Sequence, residues 1–328
     1  MSHSNNELDI VCFHVGGAGD YSHINCIGHR YPKRTVYVAF EARDSDDDLR
    51  TKQEYLDRGI RTILIQKCVS DRAGTEKFHV NKGVASSSMY KAAADAQKEH
   101  MPDQDTQPMW GSHAATDHVI ELEMSTIDEL IREYHLPDPD ILSIDAQGAE
   151  YGIMAGGADA MEKHVLSVIT EVEFHRIYEN QPLFHHQFEL LHSYGFRLLD
   201  IMAMQYWHPL ARVGHGMLTV GEALFIRFNE QLLSSASVYR LIKLAAIALA
   251  YKRLSIAVDT INFAIGKFGS QVEEIIMQNQ EFIELLQLRQ YVMGNMGAYN
   301  QDAYFFERDE TIRRIYGAVD NLKNRHMP

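Results

Sequence analysis

The stretch Asp140-Ile141-Leu142-Ser143-Ile144-Asp145-Ala146-Gln147-Gly148-Ala149-Glu150 decides the fold of this chain. An apolar run ends in an acid, a glycine follows three residues later, and a second acid comes two residues after the glycine. This order predicts a buried strand, a tight turn and the start of a helix. It places Asp145 and Glu150 at the carboxyl edge of a sheet, where open α/β sheets bind ligands.

Two upstream stretches point to a bound nucleotide-like cofactor. Val11–Ser22 is a strand that runs into a turn with Gly16, Gly17 and Gly19, and a second strand ends in Glu41. Glycines let a backbone approach a ligand, and an acid about 20 residues beyond such a turn suits hydrogen bonding to ribose hydroxyls. The combination fits a dinucleotide or S-adenosylmethionine, although the turn alone is equally typical of an ordinary strand–helix connection.

Composition restricts the class of protein. The chain has 328 residues, 45% of them hydrophobic, which is enough for one large domain or two modest ones. A formal charge of -14 argues against a general nucleic-acid or anionic-membrane binder. Three cysteines without paired spacing, no signal-peptide core and no uninterrupted apolar span predict a soluble cytoplasmic protein without a membrane span.

Strand-like and helix-like segments alternate from about Leu8 to Asn229, which predicts a doubly wound, mostly parallel α/β sheet with helices on both faces. The predicted strands are Ile10–Val15, Thr35–Glu41, Thr62–Val69, Lys77–Asn81, Ile141–Asp145, Val165–Val172, Arg197–Met202 and Ala223–Phe228. Gly74 separates the third strand from the fourth by a short turn, so we expect those two to form a hairpin. Segment Val84–Asp117 is long for a plain connection and is typical of a lid.

Other segments of the chain carry the sequence signals of helices. Thr126-Ile127-Asp128-Glu129 is a capping box, and Phe184 to Gly195 has the spacing of a helix closed by glycine. Beyond Glu230 only helical spacing is present, including a predicted helix over Phe305–Val319. We therefore expect a sheet domain over residues 1–230 and a helical extension over residues 231–328.

These segments resemble the FkbM family of S-adenosylmethionine-dependent methyltransferases over about Leu8 to Phe228. The family reads V-D-V-G-A-N-x-G-x-x-S, F-E-P, t-L-D-e-l, I-D-x-x-K-I-D-x-x-G-x-E and E-V. The matching segments are Val15–Ser22, Phe40–Ala42, Ser125–Leu130, Asp140–Glu150 and Ile169–Val172, and Gly83–Ser88 matches a serine-containing segment. Among the departures, His14 stands for an acid, Ala42 for proline and Ser143 for lysine.

The resemblance implies a class I methyltransferase (Rossmann-like) fold with a seven-stranded sheet. It also implies S-adenosylmethionine as cofactor and O-methylation, often of a sugar or polyketide-like hydroxyl. The predicted cofactor-binding residues are Gly16, Gly17, Gly19, Glu41, Ser70 and Asp145.

Methyl transfer from a sulfonium needs an acceptor oxygen held in line and a group that takes its proton. The candidate catalytic residues are Asp145, Glu171 and His175. Strand alternation predicts that Glu171, Glu173 and His175 share one face, where they could hold a base or, with Asp145, bind Mg²⁺. The alternatives are that Asp145 binds the cofactor's amino group, that Glu150 caps a helix, and that the acids form a solvated strand end.

The predicted function is O-methyl transfer to a sugar or glycoconjugate hydroxyl, with a small molecule or glycan as acceptor. One rival function is that of a nicotinamide-dependent oxidoreductase. The other is that of a methyltransferase-like binding module without turnover, and the replacement of the family's acid by His14 is the reason to consider it. Leu241–Leu249 is apolar around much of its circumference, so we expect burial on two sides and homo-oligomerisation through the extension.

Overall fold

A computed structural model describes residues 7–16, 24–42, 46–94, 110–208 and 216–295. The chain divides into two compact units. The first unit comprises Met1–Asn5, Asp9–Gly28 and Thr35–Asn229, and the second comprises Asn6–Leu8, His29–Arg34 and Glu230–Pro328.

The first unit contains the strands. They are β1 (Ile10–Gly16), β2 (Thr35–Glu41), β3 (Arg61–Gln66), β4 (Cys68–Val69), β5 (Gly74–Asn81), β6 (Thr116–Ser125), β7 (Ile141–Asp145), β8 (Ser167–Glu173), β9 (Arg197–Trp207) and β10 (Met217–Ile226). Seven of them form one sheet in the order β3-β2-β1-β7-β8-β10-β9. Its strands are parallel except that β10 runs antiparallel to β8 and to β9. The predicted doubly wound, seven-stranded, mostly parallel sheet is confirmed.

The helices of the described residues are α1 (Asn25–Arg30), α2 (Asp46–Asp57), α3 (Trp110–His113), α4 (Ile127–Tyr134), α5 (Glu150–Gly156), α6 (Ala158–Lys163), α7 (Phe184–Ser193), α8 (Glu230–Ser235), α9 (Val238–Ala250), α10 (Leu254–Phe268), α11 (Gln271–Gln278) and α12 (Ile283–Asn295). The capping box before α4 is confirmed, since the Thr126 hydroxyl accepts from the Glu129 N–H and the Glu129 carboxylate accepts from the Thr126 N–H. Gly195 follows α7 with a φ of 82°, a left-handed conformation that favours glycine.

The central strands are apolar because both faces of the sheet are covered. Every residue of β2 is buried, and so are the first six of β1 and the first four of β7. A parallel sheet enclosed in this way reads as a continuous apolar run rather than as an alternating one. The large core includes Phe13 and Phe40, whose rings meet edge to face with centroids 5.2 Å apart.

The predicted hairpin between the third and fourth strands is wrong. The predicted third strand is divided between β3, in the large sheet, and β4, in a separate three-stranded sheet of order β4-β6-β5. Cys68 of β4 and Gly74 of β5 both pair with Met124, from opposite sides of β6. Strand β6 was not predicted, although the alternation of Ile120, Leu122 and Met124 is a strand signal.

The second unit contains the apolar helix predicted to be buried. In α9, Leu241, Ile242 and the residues from Leu244 to Leu249 are fully buried within the single chain. The chain itself therefore covers the apolar surface that suggested self-association. No helix among the described residues has the length and apolarity needed to cross a bilayer. The predicted helix over Phe305–Val319 lies outside the described residues.

Candidate functional site

Three neighbouring strands bring Glu41, Gly16 and Asp145 side by side at the carboxyl edge of the sheet. On one side of β1, Gly16 pairs with Asp145 of β7. On the other side Val15 pairs with Phe40 of β2, so the next residue of β2, Glu41, lies beside Gly16. Gly16 has a φ of 81°, and a Cβ there would lie 2.0 Å from the Asp145 carbonyl oxygen. Only glycine permits this approach of backbone to backbone. Gly17 and Gly19 lie outside the described residues.

Glu150 closes the turn between β7 and α5. Its Oε1 accepts hydrogen bonds from the N–H groups of Ala146, at 2.9 Å, and Gly148, at 3.1 Å. Glu150 is also the first residue of α5 and is fully buried. Ala146 and Gly148 precede the helix, so these two hydrogen bonds fix the turn and do not cap α5. The alternative that Glu150 caps the helix stays a prediction. Burial raises the pKa of Glu150 to about 7, against the opposing effect of the backbone donors.

Four carboxyl groups cluster beside this turn. Gln147 Nε2 donates to Asp145 Oδ1 at 2.9 Å and to Glu171 Oε2 at 3.0 Å, which links the ends of β7 and β8. Glu150, Glu171 and Glu173 each bring one oxygen within 4.8 Å of the others. Glu171 is partly exposed, whereas Glu173 is completely buried. Glu171 and Glu173 therefore lie on one face of β8, as strand alternation predicts.

Burial is the largest cause that raises the pKa values of Glu171 and Glu173, and neighbouring carboxylates add to it. The Glu173 oxygens make no hydrogen bond of normal geometry within the described residues, although the Gln181 amide lies close enough to offset part of the effect of burial. Carboxyl groups in such surroundings share protons, because they cannot all be ionised at once. The cluster can therefore accept or release a proton near neutral pH.

The cluster is a poor match to Mg²⁺, which prefers oxygen ligands with nothing else competing for them. The amide of Gln147 already donates to two of the carboxylates. Gln181 Oε1 accepts from the N–H groups of Ile177 and Tyr178, so its amide nitrogen is the atom left to face the acids. These hydrogen-bond donors occupy carboxylate oxygens that a metal ion would need as ligands.

The other predicted site residues lie apart from these hydrogen bonds. Strand β8 ends at Glu173, so the alternation does not extend to His175, which lies in the following bend with an exposed side chain. Ser70 is buried and donates to Asp71 Oδ1, and its carbonyl oxygen lies against Gly156 of α5.

Two of the departures from the family pattern face each other. His14 and Ser143 are register partners on β1 and β7, and a hydrogen bond of 2.9 Å joins His14 Nδ1 to Ser143 Oγ. The family's acid and lysine at these two positions would place opposite charges in the same place. In this chain an imidazole–hydroxyl hydrogen bond takes the place of that charged pair, so His14 has a structural contact within the sheet.

Sequence reasoning missed the residues that hold the acids. Gln147 falls on a variable position of the D-x-x-G-x-E pattern, and its left-handed φ of 52° has no sequence signal. The Tyr178 hydroxyl donates to Gln147 Oε1 at 2.9 Å and the Ser88 hydroxyl donates to the Gln147 carbonyl at 2.7 Å. Both partners are distant in sequence, so only the tertiary structure identifies them.

Comparison with protein-family models gives a match. The family described as "Methyltransferase FkbM domain" matches residues 18–198, which is more than half of the chain. No curated protein shows significant similarity to the chain.

Solved structures show only weak likeness. A precorrin-6y C5,15-methyltransferase from Geobacter metallireducens GS-15 is 11% identical, with 68% of this chain and 83% of that chain covered and a TM-score of 0.32. TrmK from M. capricolum, in complex with S-adenosyl-homocysteine, is 9% identical, with 85% and 92% covered and a TM-score of 0.30. An O-methyltransferase family 2 protein from Planctomyces limnophilus DSM 3776, in complex with apigenin, is 8% identical, with 66% and 50% covered and a TM-score of 0.30. Likeness this weak carries no information about the substrate.

Proposed function

Since the chain belongs to the FkbM family of S-adenosylmethionine-dependent methyltransferases and has their class I sheet, we propose that it methylates a hydroxyl oxygen of a sugar or glycoconjugate. The observation that carries the proposal is the pair Asp145 and Glu171, joined through one amide at adjacent carboxyl ends of β7 and β8. Ligands of open α/β sheets bind beyond this edge.

The residues around Gly16 fit the cofactor. Gly16 leaves no side chain between the ends of β1 and β7, and Glu41 ends the neighbouring strand β2, where its carboxylate suits two ribose hydroxyls. When bound, S-adenosylmethionine supplies a methyl group on a positively charged sulfur. A positioned oxygen can attack the methyl carbon and displace the sulfur without further activation. The protein must then hold the acceptor hydroxyl and remove its proton.

Glu171 is our candidate for the proton acceptor. It is partly exposed, and burial together with Asp145 raises its pKa, so that its ionised form is a stronger base than an ordinary carboxylate. As the acceptor oxygen bonds to the methyl carbon and the carbon–sulfur bond breaks, the hydroxyl proton would pass to a carboxylate oxygen and S-adenosylhomocysteine would leave. Asp145 accepts from the same Gln147 amide and is the second candidate for the proton acceptor. The exposed His175 is the third candidate.

Calorimetric titration tests the cofactor assignment. We expect S-adenosylmethionine and S-adenosylhomocysteine to bind and nicotinamide cofactors not to bind. Glu41→Ala removes charge-assisted hydrogen bonds and should weaken donor binding by about 2–3 kcal/mol. Glu76→Ala, at an acid of β5 that pairs with Arg72 on the surface, is the control and should bind normally. Unchanged donor affinity in Glu41→Ala contradicts the assignment.

An acceptor panel tests the reaction. S-adenosylhomocysteine release is measured with methyl glycosides that carry free hydroxyls and, in parallel, with amino sugars in which an amine replaces one hydroxyl. Turnover on the glycosides supports O-methylation. Turnover restricted to the amines contradicts it, because the proton acceptor would then serve a nitrogen nucleophile.

A further inference from the structure

Gln147 adopts an unusual backbone conformation beside the reacting edge of the sheet. Its φ of 52° is left-handed, a region that side chains other than glycine, asparagine and aspartate rarely adopt. The Ser88 hydroxyl donates to its carbonyl oxygen at 2.7 Å and is itself completely buried. Backbone strain that the surroundings maintain at a ligand edge is a reason to ask what the side chain does.

The Gln147 side chain has only one consistent orientation. Its Nε2 group lies between Asp145 Oδ1 and Glu171 Oε2, and both of these oxygens accept hydrogen bonds. Its Oε1 accepts from the Tyr178 hydroxyl, which also lies 3.1 Å from the Ser86 carbonyl oxygen. Reversing the amide would direct its oxygen at two carboxylate oxygens, so the observed orientation is the one that suits the ionised pair.

We propose that Gln147 is a positioning residue, which holds the carboxylates of Asp145 and Glu171 at a set separation through one amide group that Tyr178 orients. A neutral amide supplies two N–H donors without adding a charge, so it aligns both acids while leaving them able to take a proton. This inference rests on the proposed function, because it assigns Asp145 and Glu171 to the proton-accepting step.

The amide also affects the ionisation of Glu171. The carboxyl groups that act on Glu171 are Asp145 from β7, Glu150 from α5, Glu173 from its own strand and Glu222 from β10. Tyr178 also faces Glu171, whose charge helps to raise the pKa of the Tyr178 hydroxyl. Donation from Gln147 favours the ionised form, against burial and these neighbours. Loss of the amide should therefore make Glu171 hold its proton to a higher pH.

Infrared titration of the full chain measures this without any acceptor. Above about pH 6 ordinary carboxyl groups are ionised, so the carbonyl band of carboxylic acids that remains comes from buried acids. The intensity that this band loses in Glu171→Gln is the contribution of Glu171. We expect the Glu171 midpoint to rise by about one pH unit in Gln147→Ala and by less, in the same direction, in Tyr178→Phe. Gln53→Ala is the control, because Gln53 makes an amide contact with a carboxylate, Asp57, on the exposed face of α2.

Unchanged midpoints in Gln147→Ala and Tyr178→Phe overturn the inference, and if Gln147→Ala does not fold, Tyr178→Phe decides alone. Donor titration of the unaltered chain is a separate result. If the donor fails to bind while the midpoints shift, the proposed function fails and the positioning contact stands. If the donor binds and the midpoints stay, only the role of Gln147 is wrong.

Discussion

Two buried glutamates, one in each unit, show two ways of keeping a carboxyl group inside a protein. Glu284 of α12 is 1% exposed and receives two hydrogen bonds from Arg30, at 2.7 Å and 2.8 Å. Glu173 of β8 is equally buried, but the groups nearest to it are two other carboxyl groups and an amide. The first arrangement compensates the charge with an opposite charge, and the second leaves protons as the compensation.

The contrast separates structural acids from reactive ones. An arginine that donates two hydrogen bonds to a carboxylate stabilises the ionised form of that carboxylate. The carboxylate is then unavailable for proton transfer. A cluster of acids with raised pKa values is costly to keep folded when it is ionised, yet it exchanges protons near neutral pH. We therefore expect changes at Arg30 and Glu284 to affect stability, and changes in the acid cluster to affect turnover.

The largest expected effect on stability is at Arg30. Arg30→Met leaves the Glu284 carboxylate buried without its cation, which should lower the free energy of unfolding by about 3–5 kcal/mol. Urea unfolding followed by circular dichroism measures it. Arg72→Met, at the exposed pair of Arg72 with Glu76, is the matched control and should unfold at the same urea concentration as the unaltered chain. A loss at Arg30 as small as in the control would mean that the two glutamates do not differ in this way.

The next effect is on turnover. Glu171→Gln preserves the shape of the side chain but removes the proton acceptor, and we expect kcat to fall at least about 100-fold without any loss in the free energy of unfolding. Release of S-adenosylhomocysteine in the presence of an accepting glycoside measures it, with Glu76→Gln as the control. A normal rate in Glu171→Gln, and a normal rate also in Asp145→Asn combined with His175→Ala, would remove the acid cluster from the reaction.

The smallest effect is the pH dependence of stability. The pKa of Glu173 is raised in the folded chain, so the fold retains a proton that the unfolded chain loses, and stability falls as pH rises above the unfolded value. Each acid of this kind contributes up to about 1.4 kcal/mol per pH unit. Glu173→Gln should therefore flatten the decline in unfolding free energy as the pH rises above about 5.

The same substitution at Glu284 is the matched comparison. Glu284→Gln removes the partner of Arg30, so it should lower stability at neutral pH, where Glu173→Gln raises it. Parallel pH profiles for the unaltered chain and Glu173→Gln would contradict the assignment of a raised pKa to Glu173.

Most of the large sheet was predictable because its signals are local. The apolar runs of β1, β2 and β7 end at the glycine or acid that marks the carboxyl edge, and the capping box at Thr126 lies within four residues. The three-stranded sheet was not predictable in the same way. Its central strand β6 pairs with β4 and β5, which precede it in the chain by more than 30 residues, and a turn at Gly74 suggested a local hairpin instead.

The sequence by itself determined the α/β class, the family and the acids at the ends of β2, β7 and β8, because strand periodicity and motif spacing are properties of neighbouring residues. The tertiary structure alone decided which acids meet, that His175 lies beyond the strand, and that Gln147 and Tyr178 hold Asp145 and Glu171 together. Apart from the contact of Gln147 with Asp145, those contacts join residues that are far apart in the chain. The raised pKa values arise from burial, which no local pattern specifies.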